Sequence, residues 1–261
     1  MRSRLRQASK AVFAGLDMLV HPADGPRVLI YHQIGGGSGL EMEVEVDTFQ
    51  WQLDWLSDNC RVVDLEGALS RPDERGVVLT FDDGYQSVHD LAFPLLVERR
   101  LPFTLYVTTD PIETGRPLRE HPGSNPLSWE QIKSMMGTGL LTIGAHTHTH
   151  PDFRVIGAEA VERELSISNE LLDRRLGVTP RHFAYPWGYW SEAADPHVRV
   201  RFATAALGSR LPRERWRYDS HLIHRVPVQA SDGTRWFKKR IESGLVFEES
   251  VRRRLRGYEG P

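Results

Sequence analysis

The sequence predicts an α/β fold built around a parallel sheet. Short apolar runs of strand length alternate with longer segments whose apolar residues recur at helical spacing. Acidic and histidine motifs follow two of these runs directly, which is where α/β folds build their sites. With 261 residues, the chain is long enough for one large α/β domain.

The apolar runs define the predicted strands in order. They cover residues 28–31, 77–80, 103–107, 141–143 and 182–184, and a later strand is expected to end at Arg225. Three helices lie between them. One is capped by Asp47, one opens with the capping-box pair Ser128 and Gln131, and one covers residues 159–176.

The domain organisation predicted is an N-terminal amphipathic helix over residues 1–20 and a single domain over residues 21–261 that includes a C-terminal helix. The first helix has Leu5, Val12 and Leu16 on one face and basic residues away from it. It either packs on its own domain or lies on an anionic membrane surface. Core packing is also expected for the C-terminal helix at 234–256, with binding to an anionic lipid or polymer as the alternative.

Composition narrows the function classes. The net charge of -2 argues against a nucleic-acid partner. Cys60 is the only cysteine, so an internal disulfide and a thiolate metal cage are excluded, and we expect it to pack as a small apolar residue. No run approaches the roughly 18 apolar residues of a membrane span, and no convincing signal-peptide cleavage site appears. We therefore expect a cytoplasmic location, with peripheral membrane contact as the alternative.

Asp82 and Asp83 follow the apolar run that ends at Phe81, and Gly84 comes next. Two adjacent carboxylates at a strand end repel each other unless a cation or a shared proton relieves the repulsion. By itself, an Asp-Asp-Gly sequence is also typical of a solvated turn or a helix N-cap.

A second motif, His146-Thr147-His148-Thr149-His150, follows the run that ends at Ala145. Alternating histidines by themselves also suit a polar strand face. Together with the aspartates, they form a ligand set suited to Zn²⁺ and, less selectively, to Fe²⁺, Co²⁺ or Ni²⁺. The sequence therefore predicts a metal centre.

Three motifs in order resemble those of the polysaccharide deacetylases, the NodB-homology carbohydrate esterases. They are residues 80–84, residues 146–150 and Phe183-Ala184-Tyr185-Pro186-Trp187-Gly188. The resemblance spans about residues 28 to 230. It implies a distorted (β/α)₇ barrel that holds one divalent metal ion, with Zn²⁺ favoured over Co²⁺, Ni²⁺ or Fe²⁺.

The resemblance also implies residue roles. Asp83, His146 and His150 would hold the metal and Asp82 would be the general base. His148 would hold the loop, although it could exchange roles with a neighbour if the segment stays extended. The Trp187 N–H would help form the oxyanion hole. An aromatic group suited to stacking on sugars is expected from Tyr185, Trp187, Tyr189 and Trp190, with core packing explaining one or two of them.

Two roles depart from the usual pattern. The general acid is assigned to His32, as in circularly permuted members of the family, and His224 in Leu222-Ile223-His224 is the alternative. Ala184 stands where an arginine usually orients the base. Arg225 is the expected replacement, and a surface salt bridge is the other interpretation of this residue.

The function expected is metal-dependent removal of the N-acetyl group from an N-acetylated sugar of a polysaccharide or glycolipid. The alternatives are a deformylase or deacetylase of a lipid-linked or small acylated amine, and a catalytically silent glycan-binding relative. Loss of a metal ligand or of the base would favour the silent relative, but this sequence lacks only the motif arginine.

Overall fold

The computed structural model describes residues 25–35, 37–208, 219–242 and 251. The predicted helix at 1–20 lies outside these residues. The part of the predicted 234–256 helix that follows Glu242 also lies outside them, apart from residue 251. Within the described residues, no helix combines the length and apolarity needed to cross a bilayer.

The described residues form seven parallel barrel strands, which are β1 Arg27–Tyr31, β4 Val77–Phe81, β5 Phe103–Val107, β6 Leu141–Ala145, β7 His182–Ala184, β8 Thr204–Leu207 and β9 Ile223–Pro227. They close into a barrel in the order β1-β4-β5-β6-β7-β8-β9, which confirms the α/β class and the seven-stranded barrel that the resemblance implied. β9 pairs with β1 through Val28 opposite Arg225, and this pairing closes the barrel. The strand β8 was not predicted from the sequence.

A small second sheet was also missed. β2 (Gln33–Gly35) pairs in parallel with β3 (Glu43–Glu45), outside the barrel. His32 is the single residue between β1 and β2, so it lies where the chain leaves the barrel. This position is the first sign that His32 belongs to the barrel mouth.

Eight α-helices are described along the chain, of which four correspond to predicted helices and four, at 65–70, 93–98, 109–114 and 195–201, were not predicted. They are Val46–Asn59, Leu65–Ser70, Phe93–Glu98, Thr109–Thr114, Trp129–Met136, Ala158–Leu176, Asp195–Arg201 and Gly233–Glu242. The capping box is confirmed, because the Ser128 hydroxyl accepts from Gln131 N–H and the Gln131 side chain accepts from Ser128 N–H. The Asp47 cap was wrong: the N-cap is Glu45, and Asp47 lies in the first turn.

Strand residues alternate between two apolar clusters because successive side chains point to opposite faces. Leu29 and Tyr31 of β1 belong to the large core shared with the helices, which Cys60 contacts from its edge as expected. Val28 belongs to a smaller cluster with Leu65 and Ala68, whose helix packs at the start of β4. At the carboxyl ends of β4 and β6, the chain continues directly into the buried polar residues Asp82, Asp83 and His146.

Gly144 of β6 leaves room for a ring inside the barrel. A Cβ at this position would lie 2.4 Å from Cδ1 of Tyr106 and 3.1 Å from the carbonyl oxygen of His182. Tyr106 is fully buried, and the Arg225 guanidinium carbon lies 5.0 Å from its ring centre. The glycine therefore sets the position of a ring that supports Arg225.

We predict that Gly144→Ala lowers the free energy of unfolding by about 1–3 kcal/mol, the usual cost of overpacking a core. Urea denaturation followed by circular dichroism measures the change. Gly123→Ala is the matched control, because a Cβ there meets nothing within 4 Å. Equal stability of the two variants would contradict the packing argument.

Candidate metal and catalytic site

The two aspartates occupy the carboxyl end of β4. Asp82 N–H donates to the Tyr31 carbonyl at 3.0 Å, which extends the strand pairing by one residue. Asp83 then adopts a left-handed backbone with φ 72°, and Gly84 follows with φ 88°. This sharp turn lets both carboxylates reach the barrel mouth, where both are buried.

The histidine segment is a turn and not an extended strand. Thr147 and His150 have φ values of 70° and 60°, and the Thr147 hydroxyl accepts from His150 N–H at 3.1 Å. Glu164 fixes the outer part of the turn by accepting from the N–H groups of His148 and Thr149 at 2.9 and 2.8 Å. The turn brings the first and last histidines of the motif to one side.

His148 faces away from them. Its Nδ1 lies 3.0 Å from the Thr109 hydroxyl, and its Nε2 lies 4.0 Å from an Asp110 oxygen. The exchange of roles that an extended segment would allow therefore does not arise. The geometry agrees with the loop-holding role expected for this residue.

Asp83, His146 and His150 converge, with ligand atoms that all lie within 4.8 Å of one another. Nε2 of His146 and Nε2 of His150 each lie 3.4 Å from Oδ1 of Asp83. Ligands about 2.0–2.2 Å from a tetrahedral Zn²⁺ are separated by about 3.3–3.6 Å, so the spacing fits such an ion. Asp83 Oδ1 is buried without a hydrogen bond among the described residues, which also suits an oxygen that faces a cation.

Hydrogen bonding orients the first of these imidazoles. His146 Nδ1 donates to the carbonyl oxygen of Ala184 at 2.7 Å, which leaves the Nε2 lone pair directed at Asp83. Burial by itself would raise the pKa of Asp83, but His150 and His146 outweigh it and lower the pKa below its ordinary value. The aspartate is therefore held as the anion that a metal ligand must be.

Arg225 forms a buried, two-pronged ion pair with Asp82. Its Nη1 and Nη2 donate to the two carboxylate oxygens at 2.7 and 2.8 Å, and Nη1 also lies 3.1 Å from the Thr80 hydroxyl. Burial alone would raise the pKa of Asp82, but Arg225 more than offsets it and the pKa is lowered. Arg225 lies in the middle of β9 and not at its end, and the surface salt bridge considered for it was wrong.

His32 lines the same cavity as the metal cluster. The cavity has a volume of about 350 Å³, and its walls include Asp82, Asp83, His146, His150 and Arg225. Burial lowers the pKa of His32 below the ordinary histidine value, although Asp83 and Asp82 act to raise it. His224 does not line this cavity, because it lies between the two inward-facing residues Ile223 and Arg225 on β9. The structure thus brings His32, and not His224, to the two aspartates.

The expected aromatic group divides into two pairs. Tyr185 is fully buried against Phe183, with ring centres 5.1 Å apart, so its assignment as a substrate contact was wrong. Trp190 is partly buried and donates to Asp195 at 3.0 Å. Trp187 and Tyr189 do line the cavity, and 45% of Trp187 is exposed.

The Trp187 backbone is also left-handed, with φ 62°. The hydrogen bonds of its turn run from Gly188 N–H to the Tyr185 carbonyl and from Tyr189 N–H to the Pro186 carbonyl. The Trp187 N–H takes part in neither, which agrees with the oxyanion-hole role expected for it. Gly188 is required here, because a Cβ would lie 2.5 Å from the Gly208 nitrogen.

Sequence reasoning missed the outer walls of the cavity. Glu41, Glu120, His121 and Gln229 all line it. Glu120 and His121 belong to the long connection between helices Thr109–Thr114 and Trp129–Met136. The length of this connection was a usable signal, since long ordered loops often carry function.

We predict that Asp83→Ala and His146→Ala each abolish stoichiometric binding of Zn²⁺, because each removes one of three converging ligands. His148→Ala is the matched control, since it removes an imidazole from the same turn that points elsewhere. Metal content after dialysis and calorimetric titration with Zn²⁺ measure the effect. Loss of metal from the His148 variant alone would contradict the assignment.

The family model for polysaccharide deacetylases matches residues 70–201. The solved structure of IcaB from Ammonifex degensii is similar with a TM-score of 0.72 and 30% identity, over 84% of this chain and 100% of that one.

Curated relatives are similar over shorter stretches. YxkH of Bacillus subtilis (strain 168) is 28% identical over 66% of this chain and 59% of its own length. The poly-beta-1,6-N-acetyl-D-glucosamine N-deacetylase of Staphylococcus epidermidis is 25% identical over 54% of this chain and 52% of its length. The chain thus spans less than two thirds of these relatives. The family match covers half of the chain, and the motifs of the site lie inside it or beside it, so the chain belongs to the polysaccharide deacetylase family.

Proposed function

We propose that this protein is a metal-dependent hydrolase that removes the N-acetyl group from an N-acetylated sugar of a polysaccharide or glycolipid. The observation that carries the proposal is one cavity lined by three converging metal ligands, an aspartate paired with an arginine, and a further histidine. Amide hydrolysis needs an activated water, stabilisation of the oxyanion and protonation of the amine, and this set suits all three tasks.

The metal ion would be held by Asp83, His146 and His150. When bound, a divalent ion supplies Lewis-acid polarisation of the acyl oxygen and lowers the pKa of water. We propose Zn²⁺ for this site, because two imidazoles and one carboxylate form a common catalytic zinc set.

Asp82 acts as the general base in this proposal. Arg225 keeps its carboxylate ionised and fixed in orientation through the two-pronged contact. His32 acts as the general acid that protonates the departing amine. The Trp187 N–H is placed to donate to the developing oxyanion.

The substrate class is proposed from the relatives. Similar proteins carry the names chitooligosaccharide deacetylase and poly-beta-1,6-N-acetyl-D-glucosamine N-deacetylase. Both names denote enzymes for N-acetylglucosamine glycans, so we propose a glycan of this sugar. A silent glycan-binding protein is disfavoured because the metal set is complete and Arg225 contacts the base.

The proposal is tested by incubating the Zn²⁺-loaded protein with chitooligosaccharides, β-1,6-linked N-acetylglucosamine oligomers and a lipid-linked N-acetylated sugar, with released acetate as the readout. We predict release from at least one glycan and a loss of about 10²- to 10⁴-fold in Asp82→Asn, the usual contribution of a positioned base. Asp82→Asn should still bind Zn²⁺. No acetate from any glycan, or a variant within about threefold of wild type, would contradict the proposal.

We predict that His32→Ala slows hydrolysis of an N-acetyl amide far more than hydrolysis of an activated aryl acetate. The aryloxide of the ester leaves without a proton, whereas the amine of the amide must be protonated as it departs. The ratio of kcat/KM for the two substrates measures this effect, and His224→Ala is the matched control. Equal losses on both substrates, or a larger amide-specific loss in His224→Ala, would remove His32 from the acid role.

We predict that Arg225→Met moves the acidic limb of the kcat/KM profile to higher pH. Burial raises the pKa of Asp82, and Arg225 is the strongest of the groups that lower it, ahead of His146 and His32. Removal of the guanidinium therefore raises the pKa of Asp82. The base must be deprotonated, and activity therefore appears at higher pH. Arg225→Lys should shift the limb less because it retains the charge, and Arg174→Met, on an exposed helix face, should not shift it. An unmoved limb in Arg225→Met would contradict the pairing.

A further inference from the structure

Tyr85 carries a buried hydroxyl that the proposed chemistry does not use. The residue follows the left-handed turn of Asp83 and Gly84, and only 3% of it is exposed. It does not line the metal cavity, and its hydroxyl oxygen has no hydrogen bond of normal geometry among the described residues. Buried polar atoms nearly always have a partner, so this hydroxyl requires an explanation.

The backbone on both sides of Tyr85 is held by the segment 125–127. The Gly84 carbonyl accepts from Leu127 N–H at 2.8 Å, and Gln86 N–H donates to the Asn125 carbonyl at 2.9 Å. The point from which the tyrosine ring extends is therefore fixed by hydrogen bonds that do not involve the metal ligands.

Two polar side chains interact with the Tyr85 hydroxyl. Burial raises the pKa of Tyr85 far above its ordinary value, Asp83 raises it further through its charge and a hydrogen-bonding contact, and a contact with the Gln33 side chain lowers it. A carboxylate raises the pKa of a phenol by accepting from its O–H, whereas an amide N–H lowers it by donating to the phenol oxygen. The two opposite effects indicate that the hydroxyl is directed at Asp83 and receives from Gln33.

The amide of Gln33 has its orientation set from the other side. Gln33 lies in β2 with 6% of its surface exposed, and its Oε1 accepts from the Ser124 hydroxyl at 2.9 Å. The amide nitrogen Nε2 is buried and has no hydrogen bond of normal geometry among the described residues. With its oxygen occupied, the amide can offer only N–H groups to Tyr85. The donors therefore run in one direction, from Ser124 through Gln33 and Tyr85 to Asp83.

We infer that Tyr85 is a positioning residue for the metal site, whose hydroxyl donates to the Asp83 carboxylate when a divalent ion is bound and so raises the affinity of the site for the ion. The inference rests on the proposed function, because it takes the metal-binding role of Asp83 from it. Oδ1 of Asp83 faces the imidazoles of His146 and His150. A donor at the remaining carboxylate oxygen would fix the rotation of the carboxylate without competing with the ion.

The first test is the Kd for Zn²⁺, measured by competition with a chromogenic chelator. Tyr85→Phe should weaken binding about 10- to 100-fold, the usual loss when the hydrogen-bond partner of a metal ligand is removed. Tyr106→Phe is the matched control, because its hydroxyl is equally buried without a hydrogen bond among the described residues but lies near Arg225 and Asp82. A Kd for Tyr85→Phe within about twofold of wild type, or an equal loss in Tyr106→Phe, would overturn the inference.

The second test is a double-mutant cycle with Gln33→Met, which keeps the length of the side chain and removes its amide. Gln33→Met alone should weaken Zn²⁺ binding about threefold, and it should cause no further loss when added to Tyr85→Phe, because Gln33 acts through the hydroxyl. Additive losses would overturn the directed series of donors. If Tyr85→Phe does not fold, an unchanged Kd in Gln33→Met overturns the inference.

The visible absorption of the Co²⁺-loaded protein gives a readout at saturating metal, because it reports the geometry of the ligands. Tyr85→Phe should change the intensity or position of the bands, and Tyr106→Phe should not. Identical spectra for wild type and Tyr85→Phe would overturn the inference.

None of these measurements needs turnover, so the inference and the proposed function can fail separately. Acetate release by the wild type together with an unchanged Kd in Tyr85→Phe overturns only the inference. Weaker Zn²⁺ binding in Tyr85→Phe without acetate release from any glycan overturns only the proposed function. A wild-type protein that binds no Zn²⁺ overturns both.

Discussion

The burial of two adjacent carboxylates is the constraint on which this structure depends. Asp82 and Asp83 both lie at the barrel mouth with little exposure to water, where unpaired negative charges are strongly disfavoured. Each of the two carboxylates is stabilised by a different kind of partner. Asp82 receives a fixed guanidinium from β9, while Asp83 receives two imidazoles in a geometry that suits a cation. Two chemically identical side chains therefore acquire different roles from their partners.

Backbone strain is concentrated around the same cavity. Of the non-glycine residues with positive φ in the described ranges, Asp83, Thr147, His150 and Trp187 all belong to the site, and Arg100 does not. Such conformations each cost of order 1–3 kcal/mol and persist only where the surroundings fix them. Here the surroundings are the closed barrel and the Glu164 clamp on the histidine turn. Stability elsewhere in the fold offsets the cost of these backbone conformations, which orient the side chains of Asp83 and His150 towards each other.

The barrel interior connects stability with the proposed chemistry. Gly144 admits the Tyr106 ring, the ring underlies Arg225, and Arg225 holds Asp82. Each contact in this series is buried, so a change at Gly144 can reach Asp82 through residues that do not all line the cavity. The outer walls of the metal cavity are different, because Glu120 and His121 come from a long connection outside the barrel. Connections of this kind can vary in sequence while the barrel keeps Asp83, His146 and His150 in place.

The sequence alone determined the α/β class, most barrel strands and the two polar motifs at strand ends, because those features depend on local periodicity and composition. The choice of Asp83, His146 and His150 within the two motifs came from the resemblance to polysaccharide deacetylases. Tertiary structure decided the rest. Arg225 reaches Asp82 because β9 closes on β1, which lies between β9 and β4. The pairing of β1 with β4 places His32 beside the two aspartates. The burial of Tyr185 follows from the packing of its ring against Phe153 and Phe183. The outer walls of the metal cavity likewise come from segments far apart in the chain, which contribute Glu41, Glu120 and Gln229. The alternation of residues along a strand predicts which side chains share a face. Closure of the barrel decides which strands become neighbours and therefore which side chains come into contact.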